Sequence, residues 1–370
     1  MIFSTSKTEL QLALQKLSKA TPTRSTLPIL GCVLIDTREE KTILKTTDLE
    51  ITIKTQIPSS LEAAGVAALP IKTLLDITNE LPETRLTLSV DERKNAKIKT
   101  DLGEYDLMAR PSDDFPKTPN QKEVENISIP GDTLKEIIDT TVFAVSKDEL
   151  KPSLTGVLFQ ISTEGITAVS TDGHRLVKHS RSDYSSKKKI NDIVVPKKFL
   201  TYLSTHINSN NVELLIDENH LTAKIKNDKI TTRLIGESFP NYESVIPTNN
   251  KNKLLVNKKD MLGAIKRVSI FSNKSTHQVA LSLDKNNCAI TTEDPEKASR
   301  AQESLTANYA GDPINIGYNA EYLKDVVSHV FGEEIIVDLS TPVSAALFSS
   351  PEKKEHVESI MLLMPIRLNE

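Results

Sequence analysis

The sequence predicts an α+β fold of three similar domains, each with two helices packed on mostly antiparallel sheets. Two observations carry this prediction: short anchors recur at a period near 124 residues, and every period repeats the same order of amphipathic and alternating segments. The chain has 370 residues, which at about 100–200 residues per domain corresponds to two or three domains.

The anchors keep one order along the chain. Three Xaa-Pro pairs have prolines 124 and 125 residues apart: Phe115-Pro116, Phe239-Pro240 and Met364-Pro365. Three aspartates that end alternating segments follow the same period: Asp48, Asp172 and Asp294. Two series of amphipathic stretches begin at Leu10, Leu134 and Met261, and at Pro70, Pro196 and Asn319. Because the period is too long for a solenoid, each repeat is expected to be a domain.

Each repeat begins with an amphipathic helix. In the first, Ser6 and Glu9 fit a capping box, and Leu10, Leu14 and Leu17 form an apolar stripe. Strands follow, as in LPILGCVLI and TGVLFQI, and then a second short helix and further strands such as RLTLSV and VELLID. The polar stretches KTPNQKEVEN and PTNNKNK separate the repeats, so we expect domains at 1–121, 127–248 and 252–370.

Composition excludes several classes of protein. The formal net charge of -4 excludes a strongly basic chain that wraps nucleic acid over its whole surface. Cys32 and Cys288 lie in no metal-binding or CxxC spacing, which predicts two reduced, partly buried thiols. The N-terminus does not resemble a secretory signal, and no apolar run approaches the roughly 18 residues that span a bilayer. The sequence therefore predicts a soluble, cytoplasmic protein without a membrane partner.

Positive charge is concentrated near the leading helices. The windows 1–24, 127–151 and 251–275 together hold 14 basic and 7 acidic residues, whereas the rest of the chain holds 32 basic and 43 acidic. Two interpretations remain open at this point: solvated, Lys-rich helix faces, which the net acidic middle window favours, or a basic concavity that faces phosphates without reading sequence.

TDGHRL, Thr171 to Leu176, is the most distinctive short stretch. It is typical of an Asp-Gly turn at the end of a strand. A catalytic Asp172–His174 pair is the alternative, but no nucleophile motif, phosphate-binding loop or metal-ligand spacing accompanies it. We therefore expect no catalytic residue, no metal and no cofactor.

Six stretches resemble the β sliding clamp of bacterial DNA polymerase III: RSTLPIL, TDLEI, TGVLF, TDGHRL, FPNY and MPIRL. They span all three repeats. The resemblance implies three clamp domains and a head-to-tail homodimer that closes into a ring of six domains around duplex DNA. It implies a non-catalytic processivity factor whose partners are the polymerase III catalytic subunit, the clamp loader, and other polymerases and repair proteins.

The resemblance also implies an apolar pocket between the second and third domains for partner peptides. Its matching residues are Leu154, Thr171, Gly173, His174, Arg175, Leu176, Pro240, Val245, Asn319, Tyr322, Val343, Leu362, Met364, Pro365, Ile366 and Arg367. The chain departs from the family pattern at Ser244, Thr276 and Ala345, and Asn369 and Glu370 extend beyond the family's usual end.

Two further surfaces are expected. Phosphate contacts are predicted at Arg24, Lys147, Lys151, Lys197, Lys198, Lys266 and Arg267, with Asp148 and Glu149 opposing them. By resemblance, Tyr105 and Leu107 of one chain should meet Ile270 and Phe271 of the other in the dimer. Two rival functions stay open: an enzyme that uses Asp172 and His174, and a static scaffold that never encircles DNA.

Overall fold

The computed structural model describes residues 1–22, 24–118, 124–184, 186, 189–207 and 211–368. The chain divides into two compact units: residues 1–134 with 201–234, and residues 135–200 with 235–370. The second repeat therefore contributes strands to both units.

The first repeat follows the predicted order of helix, strands, helix and strands. Its elements are β1 (Ile2–Ser6), α1 (Lys7–Leu17), β2 (Cys32–Asp36), β3 (Thr42–Thr47), β4 (Ile51–Ile57), β5 (Ser60–Ala63), β6 (Val66–Pro70), α2 (Ile71–Glu80), β7 (Arg85–Val90), β8 (Asn95–Lys99) and β9 (Glu104–Met108). LPILGCVLI was expected to be a strand, but Pro28–Gly31 forms a short 3-10 helix and only Cys32–Asp36 is extended. Pro28 lacks the amide donor of a sheet and fits the first position of a helix.

The second and third repeats show the same order. The second comprises β10 (Glu125–Ile129), α3 (Gly131–Thr141), β11 (Gly156–Ile161), β12 (Ile166–Thr171), β13 (Arg175–Arg181), β14 (Ile193–Pro196), α4 (Lys197–His206), β15 (Val212–Ile216), β16 (His220–Ile225) and β17 (Asp228–Arg233). The third comprises β18 (Asn252–Asn257), α5 (Lys258–Val268), β19 (Gln278–Asp284), β20 (Asn287–Asp294), β21 (Ser299–Ala310), β22 (Ile314–Asn319), α6 (Ala320–His329), β23 (Glu334–Leu339), β24 (Ala346–Ser349) and β25 (Val357–Leu363).

One of the two sheets in the first unit joins strands of two repeats. One sheet has the order β5-β1-β7-β8-β9, and the other has the order β10-β15-β16-β17-β4-β3-β2-β6. At the seam, β17 pairs with β4 antiparallel, with Ile230 opposite Ile53. Lys16 of α1 forms an ion pair with Asp228 at 2.8 Å, and Thr55 also donates to that carboxylate. The seam therefore combines backbone pairing with a half-buried charge pair.

One long sheet runs through the second unit. Its strand order is β14-β11-β12-β13-β25-β24-β23-β18-β21-β20-β19-β22. Strand β13 of the second repeat pairs with β25 of the third from Arg175 opposite Leu363 to Arg181 opposite Val357. Each pairing between described strands, in both units, is antiparallel, as the sequence predicted.

Local sequence signals account for the leading helices. Ser6 accepts a hydrogen bond from the Glu9 amide at the start of α1, and the predicted stripe Leu10, Leu14 and Leu17 is fully buried. Helix α5 repeats this design, because Asn257 accepts from the Asp260 amide. Both cysteines are buried free thiols, and burial raises the pKa of Cys288 to about 12.

The recurring aspartate accepts a backbone amide two residues further along the chain in each repeat. Asp48 Oδ1 accepts the amides of Glu50 and Ile51, and Asp172 Oδ1 accepts those of His174 and Arg175. These bonds fix a turn, as expected. Asp294 shares this backbone contact, because its carboxylate accepts the Glu296 amide; it is also buried and pairs with Asn273 and Lys297. The aspartate therefore contacts the backbone after its strand in all three repeats and gains side-chain partners in the third.

The β13–β25 pairing contains a buried histidine, which makes it sensitive to acid. His179 is 1% exposed, and its Nδ1 shares a hydrogen bond with the Ser359 hydroxyl. Burial lowers its pKa from 6.5 to about 4; Arg181 and Lys354 lower the pKa too, whereas Glu136 opposes them. In the unfolded chain the His179 imidazole is protonated below about pH 6.5, whereas in the folded chain it stays neutral until about pH 4. The free energy of unfolding should fall by up to about 3 kcal/mol across that window.

His179→Leu is expected to flatten this pH dependence, because it removes the titrating group. Urea denaturation at pH 7 and at pH 4.5 measures it. His356→Asn is the control: His356 is exposed, and Asn tolerates its positive φ of 62°. An unchanged loss of stability in His179→Leu would assign the acid sensitivity to another group.

Candidate functional site

The structure brings together TDGHRL and MPIRL, which both contribute residues to the expected pocket. Leu176 lies opposite Leu362 in the β13–β25 pairing. Just beyond it, the Met364 amide donates to the His174 carbonyl at 2.8 Å, and the Ile366 amide donates to the Gly317 carbonyl at 2.8 Å. We call the segments 171–176 and 362–367 the β13–β25 junction.

An apolar cluster lies at this junction. Its buried members are Leu158, Val169, Leu176, Val194, Tyr242, Ala345 and Leu362, with Ile235, Phe239, Ile246 and Leu347 packed against them. Two predicted pocket residues, Leu176 and Leu362, therefore belong to this cluster, which includes strands of the second and third repeats. We call this cluster the apolar floor. Most other members were missed by the sequence analysis. The stretch FPNY, which resembles the family, could have indicated Phe239 and Tyr242. Leu158 and Val194 have the pattern of ordinary buried strand residues.

Several predicted pocket residues expose large apolar side chains. Val245 is 54% exposed, Val343 is 64% exposed and Met364 is 40% exposed. Exposed apolar groups beside a buried apolar floor are typical of a binding surface. Pro240 lines a cleft of about 470 Å³ together with Leu158, Val194 and residues 235–243.

The polar residues of the predicted set have defined structural partners. Thr171 Oγ1 donates to the Arg175 carbonyl and accepts the Gly173 amide, which helps hold Gly173 at a φ of 89°. Asn319 caps α6, because its Oδ1 accepts the amides of Glu321 and Tyr322. The His174 and Tyr322 rings lie 5.7 Å apart between centroids.

Arg175 is 7% exposed despite its charge. Its Nε donates to Asp172 at 3.0 Å, its Nη1 to Asp325 at 2.7 Å, and its Nη2 to the Phe143 carbonyl at 3.0 Å. The guanidinium also lies 4.6 Å from the Tyr322 ring centroid and 5.3 Å from that of Phe143. Neither Phe143 nor Asp325 was among the predicted residues.

The remaining residues of the predicted pocket differ in their exposure. Leu154 and Pro365 are half-buried and Arg367 is exposed. Of the departures from the family pattern, Ser244 donates to the Asn241 carbonyl and Ala345 is buried in the apolar floor. The Thr276 amide donates to Asn273 Oδ1. Asn369 and Glu370 lie outside the described residues.

The predicted phosphate-contacting residues differ in their surroundings. Arg24, Lys147, Lys151, Lys198 and Lys266 are exposed. Burial lowers the pKa of Lys197, and the positive charges of Lys147 and Arg175 lower it further, whereas Asp325 and Asp172 oppose them. Lys147 and Lys197 therefore lie close enough to interact, with acidic side chains also nearby. Arg267 is already paired, because its Nε and Nη2 donate to Glu303 at 2.8 and 2.7 Å.

The predicted dimer residues lie on two separate surfaces. Tyr105 and Leu107 share one face of β9, which is the edge strand of its sheet. Ile270 and Phe271 belong to a 3-10 helix, Ser269–Phe271, and are 68% and 45% exposed. Exposed apolar side chains of this size favour burial against a partner.

Within the described part of the chain, His, Cys, Asp and Glu side chains form no group of three or more that could hold a metal ion. None of the helices among these residues has the length and apolar character that a bilayer crossing requires.

Comparisons with known proteins cover the whole chain. Three family models match in succession: the DNA polymerase III beta subunit N-terminal domain at 1–119, its central domain at 128–241 and its C-terminal domain at 243–367. The beta sliding clamps of Vibrio cholerae and Bacillus subtilis are each 28% identical, covering 100% and 99% of this chain and all of theirs.

Solved structures agree with this assignment. The DNA polymerase III subunit beta of Pseudomonas aeruginosa has a TM-score of 0.94 at 27% identity, and the sliding clamp of Bacillus subtilis has 0.94 at 28%. Both comparisons cover 100% of each chain. A Bartonella birtlesii clamp solved with griselimycin gives a TM-score of 0.93. The predicted α+β fold of three clamp domains is thus confirmed, and the chain belongs to the DNA polymerase III beta subunit family of sliding clamps.

Proposed function

We propose that this chain forms a ring around duplex DNA and tethers the replicative polymerase and other DNA-processing proteins, which makes synthesis processive. The observation that carries the proposal is the succession, in order, of the three beta subunit domains at residues 1–119, 128–241 and 243–367. A sliding clamp is a non-catalytic accessory subunit, and it needs no bound cofactor to hold DNA topologically.

Partner peptides are proposed to dock at the β13–β25 junction. The apolar floor around Leu176 and Leu362 offers burial for a Leu- or Phe-sized anchor, which contributes roughly 1.5–3 kcal/mol before ordering costs. Val343 and Met364 add exposed apolar walls. Because two anchors fall short of the roughly -8 kcal/mol of micromolar binding, backbone hydrogen bonds and a preformed cleft must supply the remainder.

The enzymatic alternative finds no support at the Asp172–His174 pair. Both oxygens of Asp172 are engaged: Oδ1 accepts two backbone amides and Oδ2 accepts Arg175 Nε. The carboxylate therefore fixes a turn and an arginine, and does not orient the His174 imidazole as an acid/base pair requires.

Encirclement separates a clamp from a static scaffold. The purified chain, loaded by the clamp loader onto nicked circular DNA, should remain bound during gel filtration. It should be lost after a restriction enzyme linearises the circle, because a ring slides off free ends. Retention on linear DNA without end blocks would contradict the proposal.

DNA contact is proposed to be phosphate-directed and indifferent to sequence. Lys197→Ala and Lys266→Ala should each reduce the slope of log affinity against log salt by about 0.9 on duplex DNA. Arg267→Ala should change the slope less, because Glu303 already holds the guanidinium.

Fluorescence anisotropy with short duplexes over a salt series measures these slopes. Lys353→Ala provides a matched control, since Lys353 is an exposed lysine outside the predicted set. Strong preference for one base sequence, or an equal slope change in Lys353→Ala, would contradict phosphate contact by the predicted lysines.

A further inference from the structure

The buried side chain of Arg175 is fully hydrogen-bonded within the protein. All three of its nitrogens donate to protein acceptors, on Asp172, Asp325 and the Phe143 carbonyl. Its side chain is 8% exposed and lies over two aromatic rings. A guanidinium held in this way is a rigid part of the wall and has little capacity to reorganise around an incoming peptide.

Asp325 is the partner that ties this arginine to the third repeat. It lies on α6 one turn after Tyr322, so the two side chains share a face of the helix. Asp172 and Phe143, the other two partners, belong to the second repeat. The Arg175–Asp325 bond at 2.7 Å therefore fixes α6, with Tyr322, against the turn that carries His174, immediately before β13.

We propose that Asp325 is a positioning residue for peptide docking: through Arg175 it holds Tyr322 and His174 at the separation that a partner peptide requires. The inference rests on the proposed docking of peptides at the β13–β25 junction. Asp325 itself is 38% exposed in its side chain and needs no contact with the peptide.

The physical reason is the strength and geometry of the pair. A charge-assisted hydrogen bond to a largely buried guanidinium is short and directional, and it is roughly twice as strong as a hydrogen bond between neutral groups. Replacement of the carboxylate by an amide keeps the volume and the helix, but removes the charge that orients Arg175. Tyr322 can then adopt other positions over the arginine. Peptide binding must order this side chain, which makes the free energy of binding less favourable.

The test is a double-mutant cycle read by calorimetric titration with a peptide from the C-terminus of the polymerase III catalytic subunit. Asp325→Asn should weaken binding about tenfold, because a neutral amide oxygen replaces the charged acceptor of the Arg175 guanidinium. Arg175→Met should weaken it at least as much. In the Arg175→Met background, Asp325→Asn should have no further effect, because its acceptor role has been removed.

Two variants separate positioning from general destabilisation. Asp325→Glu keeps the carboxylate and should recover most of the affinity. Glu321→Gln, on the same helix and half-exposed, removes a carboxylate that pairs with Lys324 and should bind as the unchanged chain does. Thermal unfolding and sedimentation of each variant record folding and assembly.

The outcomes are distinct. Wild-type affinity in Asp325→Asn, or additive losses in the double variant, would overturn the positioning role while leaving peptide docking in place. Absence of peptide binding by the unchanged chain would instead overturn the proposed docking site, and the positioning role with it.

Discussion

Removal of residues 364–370 is expected to abolish binding of a polymerase C-terminal peptide while the chain remains a dimer. The truncation removes the exposed Met364 side chain, the hydrogen bond from its amide to the His174 carbonyl, and the bridge between Ile366 and Gly317. An apolar wall and the backbone that holds it are lost together. Because two anchors alone give roughly 3–6 kcal/mol before ordering costs, loss of one wall leaves binding too weak to measure.

Dimerisation should survive this truncation because residues 364–370 include none of the proposed interface residues. The Ser269–Phe271 helix packs against β20 and β21, whereas Ile366 bridges to Gly317 of β22, which β19 separates from β20. Calorimetric titration and sedimentation velocity measure the two properties on one sample.

A chain that ends at Leu368 is the matched control for the truncation. It retains Met364 to Arg367 and the Ile366–Gly317 bridge, so its peptide affinity should equal that of the full chain. Unchanged affinity in a folded, dimeric chain that ends at Leu363 would refute docking at the β13–β25 junction.

Ile270→Ala/Phe271→Ala is expected to convert the dimer into monomers. Both side chains are largely exposed in the single chain, so burial against Tyr105 and Leu107 of a second copy would remove apolar surface from water. Truncation of buried apolar anchors at an interface costs roughly 2–4 kcal/mol each. Losses of that size raise the dissociation constant of the dimer by at least three orders of magnitude, at about 1.4 kcal/mol per factor of ten.

Sedimentation across a dilution series gives the mass of the double variant. Phe331→Ala is a close control, because Phe331 and Phe271 are both 45% exposed and only Phe271 belongs to the proposed interface. Tyr105→Ala/Leu107→Ala should dissociate the dimer as Ile270→Ala/Phe271→Ala does. A double variant that remains dimeric at nanomolar concentration would show that the contact lies elsewhere.

The sequence by itself determined the features that depend on local spacing. The cap and apolar stripe of α1 and the alternation of the strands depend on residues that are close in sequence. The period near 124 residues can likewise be seen by comparing the sequence with itself. Resemblance to the sliding clamps placed the short motifs at Thr171–Leu176 and Met364–Leu368 in one expected pocket. The Met364–His174 hydrogen bond agrees with contact between the two segments.

Only the tertiary structure decided which distant side chains meet. Arg175 and Asp325 are 150 residues apart, and Arg267 and Glu303 are 36 apart, so no local pattern links either pair. Sharing of the second repeat between the sheets of two units likewise follows from the β17–β4 and β13–β25 pairings. Strand pairing depends on which apolar faces find complementary partners across the whole chain, and amphipathic strands of one repeat are alike in sequence. The periodicity therefore predicts the strands, while packing of the complete chain selects their neighbours.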